Sequence, residues 1–407
     1  MFVDSWLRDH VHPVVKLDFE EWLATTNYKE ERKNQLRRVY ADSYGARPTL
    51  RECSHIDTFV KSESYEEYKY PRMINSRCDK FKVWFGPWAK AMEEVVYRDE
   101  HFVKHDTPVQ RAAKLRQLRF AGVRYYATDF TAFESHFTWE IMDALELRLY
   151  RAMIPGDDGE FACAVISGLN KMRTRTRIRA TVRARRMSGD MITSLGNGFS
   201  NLMLAMFLAH QQRSHLNGLV EGDDGLFATE ASLTPSLYEE LGFTIKIEAV
   251  ADPCLASFCG ILLTSSDQFI REPTRVFQKF GWTATDIMAK EPKLMQLLRG
   301  KALSLAYETP DCPIVSNLAR YALKVTEGSD AIFEEDGYHV VPLNSVASCN
   351  PTVATREAFA HKFGLSVRTQ LLVEGLIDSG RFASIQSVIS PNADNVHYES
   401  RFVSPAC

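Results

Sequence analysis

Leu216-Asn217-Gly218-Leu219-Val220-Glu221-Gly222-Asp223-Asp224-Gly225-Leu226-Phe227-Ala228-Thr229 is the stretch on which the reading of this chain turns. Two short, mostly apolar runs flank Gly-Asp-Asp-Gly, the pattern of a β-hairpin with two carboxylates at its tip. The tripeptide alone carries little weight, since Gly and Asp are common residues and the chain holds a second copy. Gly156-Asp157-Asp158-Gly159 follows Pro155 and leads into another helical pattern. Gly, Asp and Pro favour turns, so this copy is expected as a solvated loop, without a strand to present its carboxylates to a shared site.

Working outward from the hairpin, a second carboxylate stands 94 positions earlier, where the β-rich run Val123-Arg124-Tyr125-Tyr126-Ala127-Thr128 ends at Asp129. A carboxylate at a strand end is placed to meet those of another element, although an aspartate taken alone is more often a helix cap. Asp129-Phe130-Thr131-Ala132-Phe133-Glu134 follows, and then one amphipathic helix is expected from about Thr138 to Met153, with Ile141, Leu145, Leu147 and Leu149 apolar.

The formal net charge of −3 argues against nucleic acid until its distribution is considered. From Lys171 to Arg186 there are eight basic residues and no acid: Lys171, Arg173, Arg175, Arg177, Arg179, Arg183, Arg185 and Arg186. Arg173, Arg175, Arg177 and Arg179 alternate with other residues, which puts four guanidiniums on one face of a strand. Like charges side by side repel, so an anion is expected there. Ser188-Gly189-Asp190-Met191-Ile192-Thr193-Ser194-Leu195-Gly196-Asn197 reads as a small-residue loop opening the apolar helix Leu202 to Ala209. Loop amides and a helix amino terminus suit a phosphate or a sugar, and a plain capped helix start is the alternative. Between Phe59 and Arg77, Lys61, Lys69, Arg72 and Arg77 stand around short β-like pieces.

The remaining text narrows the class. At 407 residues, with 45% hydrophobic and 25% charged residues, the chain has the composition of a globular protein of two or three subdomains. No apolar run approaches the roughly 20 residues that span a bilayer, and the amino terminus lacks a signal-sequence pattern, so an intracellular protein is expected. The eight cysteines are scattered without a Cys-x-x-Cys pair. Cys254 and Cys259 read as buried thiols, His101 and His105, at i, i+4 spacing, as neighbours on a surface helix, and Lys104 to Phe120 as a helix. Residues 1 to 40 show helical spacing through Trp22, Leu23, Leu36 and Val39 and read as a packing extension. A further hairpin is expected around Phe258 to Leu263. Beyond about residue 285 the pattern is mainly helical: Ile287 to Tyr307, Val315 to Val325, and two more helices after Pro351.

These blocks stand in the order and spacing of the viral RNA-dependent RNA polymerases. Over residues 55 to 280 the chain resembles those of positive-strand RNA viruses, in particular the tombusvirus-like and noda- or flavivirus-like groups. The most specific part is Arg186-Met187-Ser188-Gly189-Asp190-Met191 through Thr193, Ser194, Gly196 and Asn197, followed 25 residues later by Gly222-Asp223-Asp224. The resemblance implies an α+β right-hand fold with fingers, an antiparallel-sheet palm and a helical thumb. Residues 1–120 would be an extension and fingers, 121–265 the palm with a fingers insertion at about 150–186, and 266–407 the thumb. Asp129 and Asp223 would be metal ligands and Asp224 an accessory one. Lys61, Lys69 and Arg72 would contact the triphosphate. Ser188, Gly189, Thr193 and Asn197 would line the nucleotide site, with Ser188, Thr193 and Asn197 checking the ribose. Gly260 would lie in the turn that grips the product strand, and Arg173 to Arg179 would contact RNA.

The chemistry implied is the joining of a 3′-hydroxyl to an α-phosphate, an in-line displacement in which two Mg²⁺ about 4 Å apart stabilise the entering and leaving oxygens, with Mn²⁺ as an alternative ion. Mg²⁺ prefers carboxylates, phosphate oxygens and retained water, and basic residues offset the triphosphate charge. The implied partners are an RNA template and product, nucleoside triphosphates, and viral or host replication proteins, in the host cytoplasm or at membrane-bound replication complexes. Glu134 departs from the family, which usually has Asp five residues after the first aspartate. The extra methylene moves the carboxylate by about a bond length, against hydrogen bonds that work near 2.7–3.2 Å. Lys246 is either the family's proton donor to pyrophosphate or a surface lysine. A reverse transcriptase and a non-catalytic RNA-binding protein on the same fold are the rivals. Glu221-Gly222 before the Asp pair counts against the first, and three intact aspartates count against the second.

Overall fold

The structure is a computed structural model that describes residues 2–62, 64–65, 68, 70–119, 123–283, 286–333, 350–382, 385, 396–397 and 401–402. Two compact units form: Met1–Lys61, Arg72–Lys104 and Arg116–Ala251 make the first, and Ser62–Pro71, His105–Leu115 and Asp252–Cys407 the second.

In chain order the first unit contains β1 (His55–Val60), β2 (Met73–Arg77), α1 (Asp79–Val96), β3 (Arg124–Phe130), α2 (Trp139–Ala144), α3 (Glu146–Met153) and α4 (Asp157–Ile166). It continues with β4 (Leu169–Thr174), β5 (Arg179–Arg183), α5 (Thr193–Gln211), β6 (Leu216–Glu221), β7 (Asp224–Thr229), α6 (Pro235–Glu240) and β8 (Ile245–Val250). One sheet has the order β2-β1-β4-β5, with β1 and β4 parallel. The other has the order β6-β7-β3-β8 and is antiparallel throughout. The central strand β3 buries Tyr125, Tyr126, Ala127 and Thr128 in succession, as a strand covered on both faces does.

Helix α5 lies against β6 and β7, and every residue from Leu195 to Ala205 is buried. A helix buried all round is a core element, and this one carries Asn197, Ser200 and Asn201 into the interior. An aromatic cluster supports the end of β3. Phe130 stacks on Phe133 with ring centroids 4.1 Å apart, Phe133 meets Phe137 edge-on at 5.0 Å, and Phe243 packs on all three. The amino-terminal extension packs as expected, with Phe19, Trp22, Leu23 and Leu36 clustering against Val83 of α1.

The second unit has helices Glu291–Glu308, Val315–Val325, Val353–Phe363 and Val367–Asp378, close to the helical pattern read from the sequence. Leu298, Ala302, Val315, Phe359 and Val373 belong to its core. The expected turn at Cys259-Gly260 is present, bridged by Phe258 and Ile261, with both central residues at positive φ. Cys254 and Cys259 are half-buried rather than buried, because they occupy a single 3₁₀ turn and this tight turn.

Four other expectations are corrected. The arginine run is not one strand: β4 stops at Thr174, residues 175–178 form a loop, and β5 begins at Arg179 directly opposite Arg173. Thr174 turns the chain, its Oγ1 accepting from the Ile178 amide, while Arg177 takes a φ of 66°. The helix expected over 138–153 is broken at Leu145 (φ −118°, ψ −96°) into α2 and α3, and the residue after the break, Glu146, is buried. Gly156-Asp157-Asp158 is not a loop but the start of α4, where the acidic first turn meets the positive end of the helix dipole. His101 and His105 do not share a helix. His101 is buried with Nδ1 2.7 Å from Asp99, and the next helix starts only at Pro108, where proline suits a first turn.

Candidate active site

Strands β6 and β7 are joined by a two-residue loop, with Glu221 paired to Asp224 across it. Gly222 takes a φ of 61°, at the position where a type II′ hairpin loop requires glycine. Asp223 is therefore the one carboxylate at the tip, exposed, while Asp224 is the first residue of the ladder and half-buried. The expectation of two carboxylates at the tip is corrected by this register. Beside β7, β3 pairs Thr128 with Gly225, so Asp129, one residue on, is level with the start of β7. On its other side Asp129 pairs with Lys246 of β8, and directly opposed residues in a sheet share a face. Both are exposed.

Asp223 reaches solvent, yet protein crowds around it. That crowding is the largest influence raising its carboxyl above the usual range. Its own backbone N–H opposes the rise, the Glu134 and Asp129 carboxylates add to it, and Arg72 counters it. Asp129, Glu134 and Asp223 thus share one electrostatic neighbourhood, with Arg72 the opposing cation. Among the described residues no three His, Cys, Asp or Glu side chains are gathered closely enough to hold a metal ion. The donor chemistry nonetheless fits a hard divalent cation, since oxygen ligands accumulate here from two adjacent strands at a cost that a cation would relieve.

Glu134 lies in the 3₁₀ turn Phe133–His136, entered through Ala132 at a φ of 50° and pinned by the buried Phe133 and Phe137 rings. From α5, Asn197 donates through Nδ2 to Glu134 Oε1 at 3.1 Å. One turn later the buried Asn201 donates through Nδ2 to the main-chain oxygen of Asp223 at 3.0 Å. A single helix thus holds the turn bearing Glu134 and the hairpin tip. Behind Asn197, Arg186 donates to Asn197 Oδ1 at 2.5 Å and meets Glu146 Oε2 at 2.6 Å.

The sequence pattern that defines the viral RNA-dependent RNA polymerases matches residues 24–260, more than half of the chain. The chain belongs to this family. Its relatives include the RNA-directed RNA polymerases of Cymbidium ringspot virus (28% identical over 236 residues), tomato bushy stunt virus strain Cherry (28% over 235) and groundnut rosette virus strain MC1 (25% over 234). These alignments cover 49–51% of this chain and 27% of each relative, so the chain matches about a quarter of their length. The tombusvirus-like resemblance read from the sequence holds.

In this member of the polymerase family the other expected site residues divide into groups. Arg72 acts on Asp223 electrostatically, Lys61 donates its backbone N–H to the Arg72 carbonyl at 2.8 Å, and Lys69 lies outside the described residues. The Ser188 hydroxyl donates to Met73 O at 2.9 Å and the Gly189 amide to Asn75 O at 3.1 Å, docking their loop on β2. Thr193 donates to the carbonyls of Met187 and Asp190. Asp190 is clamped by Arg77 in a buried two-pronged pair at 2.8–3.2 Å. Asn197 and Glu134 are brought together, whereas Ser188 and Thr193 are engaged with the backbone around their own loop. Arg173, Arg175, Arg177 and Arg179 are exposed, with no carboxylate partner among the described residues. The last two basic residues of that run turn inward: Arg185 donates to Phe137 O, and Arg186 is buried. Sequence reasoning missed Glu146, Asn201 and the inward course of Arg186. Glu146 alone had a usable signal, a charge among the apolar positions of its helix.

Proposed function

We propose that this chain carries the catalytic core of template-directed RNA synthesis, joining nucleoside triphosphates to an RNA 3′-hydroxyl with release of pyrophosphate. The observation that carries the reading is the convergence of Asp129 from β3 and Asp223 from the β6–β7 tip, with Glu134 beside them. In right-hand terms the antiparallel sheet is the palm, the sheet β2-β1-β4-β5 belongs to the fingers, and the second unit's helices form the thumb. Asp129 and Asp223 hold Mg²⁺, or Mn²⁺ in its place, with Asp224 as an accessory ligand. Two such ions, when bound, stabilise the entering and leaving oxygens of the displacement.

The chain's own residues supply the rest. Arg72 offsets triphosphate charge at the carboxylates, with Lys61 held beside it by its backbone hydrogen bond to the Arg72 carbonyl. Lys246, cross-strand from Asp129, is the ammonium available to the leaving pyrophosphate. Glu134 and Asn197 meet the ribose 2′-hydroxyl, which is both donor and acceptor and so can be told from a deoxyribose. Asn201 holds the hairpin tip through the Asp223 carbonyl. The unpaired arginines of the β4–β5 hairpin take RNA phosphates, since Arg173 and Arg179 stand directly opposite each other and like charges so placed repel. Replication proteins as partners and the host cytoplasm as location follow from the same reading.

Purified protein given an RNA template, ribonucleotides and Mg²⁺ is expected to extend RNA in a template-dependent manner and to stop when the cation is chelated. Template-independent labelling, or incorporation unaffected by chelation, would contradict the reading.

A further inference from the structure

Arg186 and Glu146 form an ion pair sealed in the first unit, with side chains 3% and 1% exposed and 2.6 Å between Arg186 Nη2 and Glu146 Oε2. Arg186 also lies 3.6 Å above the centre of the Phe137 ring and donates to Ser200 Oγ at 3.3 Å. Tyr150 donates its hydroxyl to the same Glu146 oxygen at 2.9 Å. Burial first, and the Glu146 charge second, push the Tyr150 phenol well above its ordinary value, so it stays an O–H donor.

Such a pair is a weak source of stability, because two desolvated charges cost several kcal/mol that their attraction only partly offsets. This one is further handicapped. Arg186 Nε and Glu146 Oε1 are buried with no hydrogen-bond partner among the described residues. Gly196 is also committed to it: a Cβ there would stand 2.7 Å from Glu146 Oε2 and 3.2 Å from the guanidinium. The arrangement does have one directional consequence. A guanidinium can only donate, so the Asn197 oxygen must face Arg186, and the Asn197 NH₂ must then face Glu134. Without Arg186, the Asn197 oxygen loses its donor and only the single bond to Glu134 is left to fix the amide, so the side chain can swing away from the site.

We propose that Arg186, held by Glu146, is a positioning residue that locks the Asn197 amide toward Glu134 and thereby sets how strictly the site selects ribose over deoxyribose. This rests on the proposed polymerase function and on the ribose role of Glu134 and Asn197. Neither Arg186 nor Glu146 touches the reacting atoms. They act through Asn197, as outer partners orient the groups that touch a substrate.

The test compares Asn197→Ala, Arg186→Lys and the double variant Glu146→Gln/Arg186→Met, measuring melting temperature and the ratio of ribonucleotide to deoxyribonucleotide kcat/KM. Lysine keeps the charge opposite Glu146 but lacks the fork that reaches Asn197 as well. The double variant removes both charges, keeps an acceptor for Tyr150, and covers the case in which Arg186→Lys does not fold. Folded Arg186→Lys or double variant should lose about tenfold in the ratio, in the range that outer-partner changes cost elsewhere. Asn197→Ala should lose as much or more. Full discrimination in a folded Arg186 variant, alongside a loss in Asn197→Ala, would overturn the positioning role and leave the ribose reading standing. If Asn197→Ala itself discriminates normally, the ribose reading fails and this inference falls with it.

Discussion

Gly222-Asp223-Asp224 and Gly156-Asp157-Asp158 share three letters and part company in the backbone. In the first, Gly222 turns a hairpin and leaves Asp223 exposed at its tip, where crowding by protein first, and the Glu134 and Asp129 carboxylates after it, raise its proton affinity. In the second, Gly156 caps a helix, and Asp158 accepts from Trp88 Nε1 at 3.2 Å and lies 3.5 Å from Arg47. One pair of carboxylates gathers negative charge where solvent can enter. In the other, Asp158 is tied into the fold while Asp157 stays exposed at a helix start. A tripeptide acquires chemical meaning from the elements that deliver it, so substitution should separate activity from stability in opposite directions at the two copies.

The largest effect is expected at the partner of the first copy. Asp129→Ala should lower nucleotide incorporation by ~10²–10³-fold or more, the scale seen when a group stabilising transition-state charge is removed. Its melting curve should stay within the ~0.5 kcal/mol band of surface substitutions. Single-nucleotide extension assays and thermal melts check both, and a stable variant of near-normal rate would remove Asp129 from the site.

A smaller, more selective effect sharpens the contrast by asking whether neighbours of the first copy inherit its functional sensitivity. A site built around a hydroxyl leaves polar groups unpaired when that hydroxyl is missing. Glu134→Asp withdraws the carboxylate from the Asn197 amide 3.1 Å away. It should cut the ribose-to-deoxyribose ratio by about three- to tenfold, the cost of a weakened charged hydrogen bond, although it restores the family's usual residue. Unchanged discrimination in both Glu134→Asp and Glu134→Ala would make Glu134 a scaffold residue.

The same contrast extends to arginines. Arg175 and Arg177 lie in the exposed loop of the β4–β5 hairpin, while Arg186 of the same run is buried. Changing Arg175 and Arg177 to Gln should weaken RNA binding and reduce the slope of log K against log salt by about 0.7 for each lost phosphate contact to single-stranded RNA. A slope equal to wild type, together with an unaltered nucleotide KM, would leave these arginines a structural role.

How much was legible follows from what each signal reports. The β6–β7 hairpin, the strand ending at Asp129 and the apolar part of the core helix α5 could be read because glycine placement and hydrophobic period report local backbone and facing. The expected loop is corrected over Thr193–Asn197, which form the first turns of α5, since small and polar residues there hide a helix that is buried all round. The β4–β5 turn could not, because it has no Gly, Pro or Asn and sets Arg177 in a left-handed conformation that arginine seldom takes. Nor could the break at Leu145, whose consequence is a buried Glu146 matched to an arginine 40 residues later. Long-range charge pairing leaves no periodic trace. The likeness of Glu134 and Asn197 to family positions suggested that they meet, and the geometry adds the bond between them and the arginine behind it.

The central claim is tested most directly by measuring template-directed, Mg²⁺-dependent incorporation and melting temperature side by side in Asp223→Ala, Asp157→Ala and Asp158→Ala. The account predicts that Asp223→Ala abolishes incorporation with its melting temperature nearly unchanged, and that Asp157→Ala stays within a fewfold of wild-type rate. Asp158→Ala should keep its rate and melt a few degrees lower, since leaving the buried Trp88 N–H unpaired costs about 1 kcal/mol. Near-normal incorporation by Asp223→Ala, or an equal loss of incorporation in a well-folded Asp157→Ala, would contradict it.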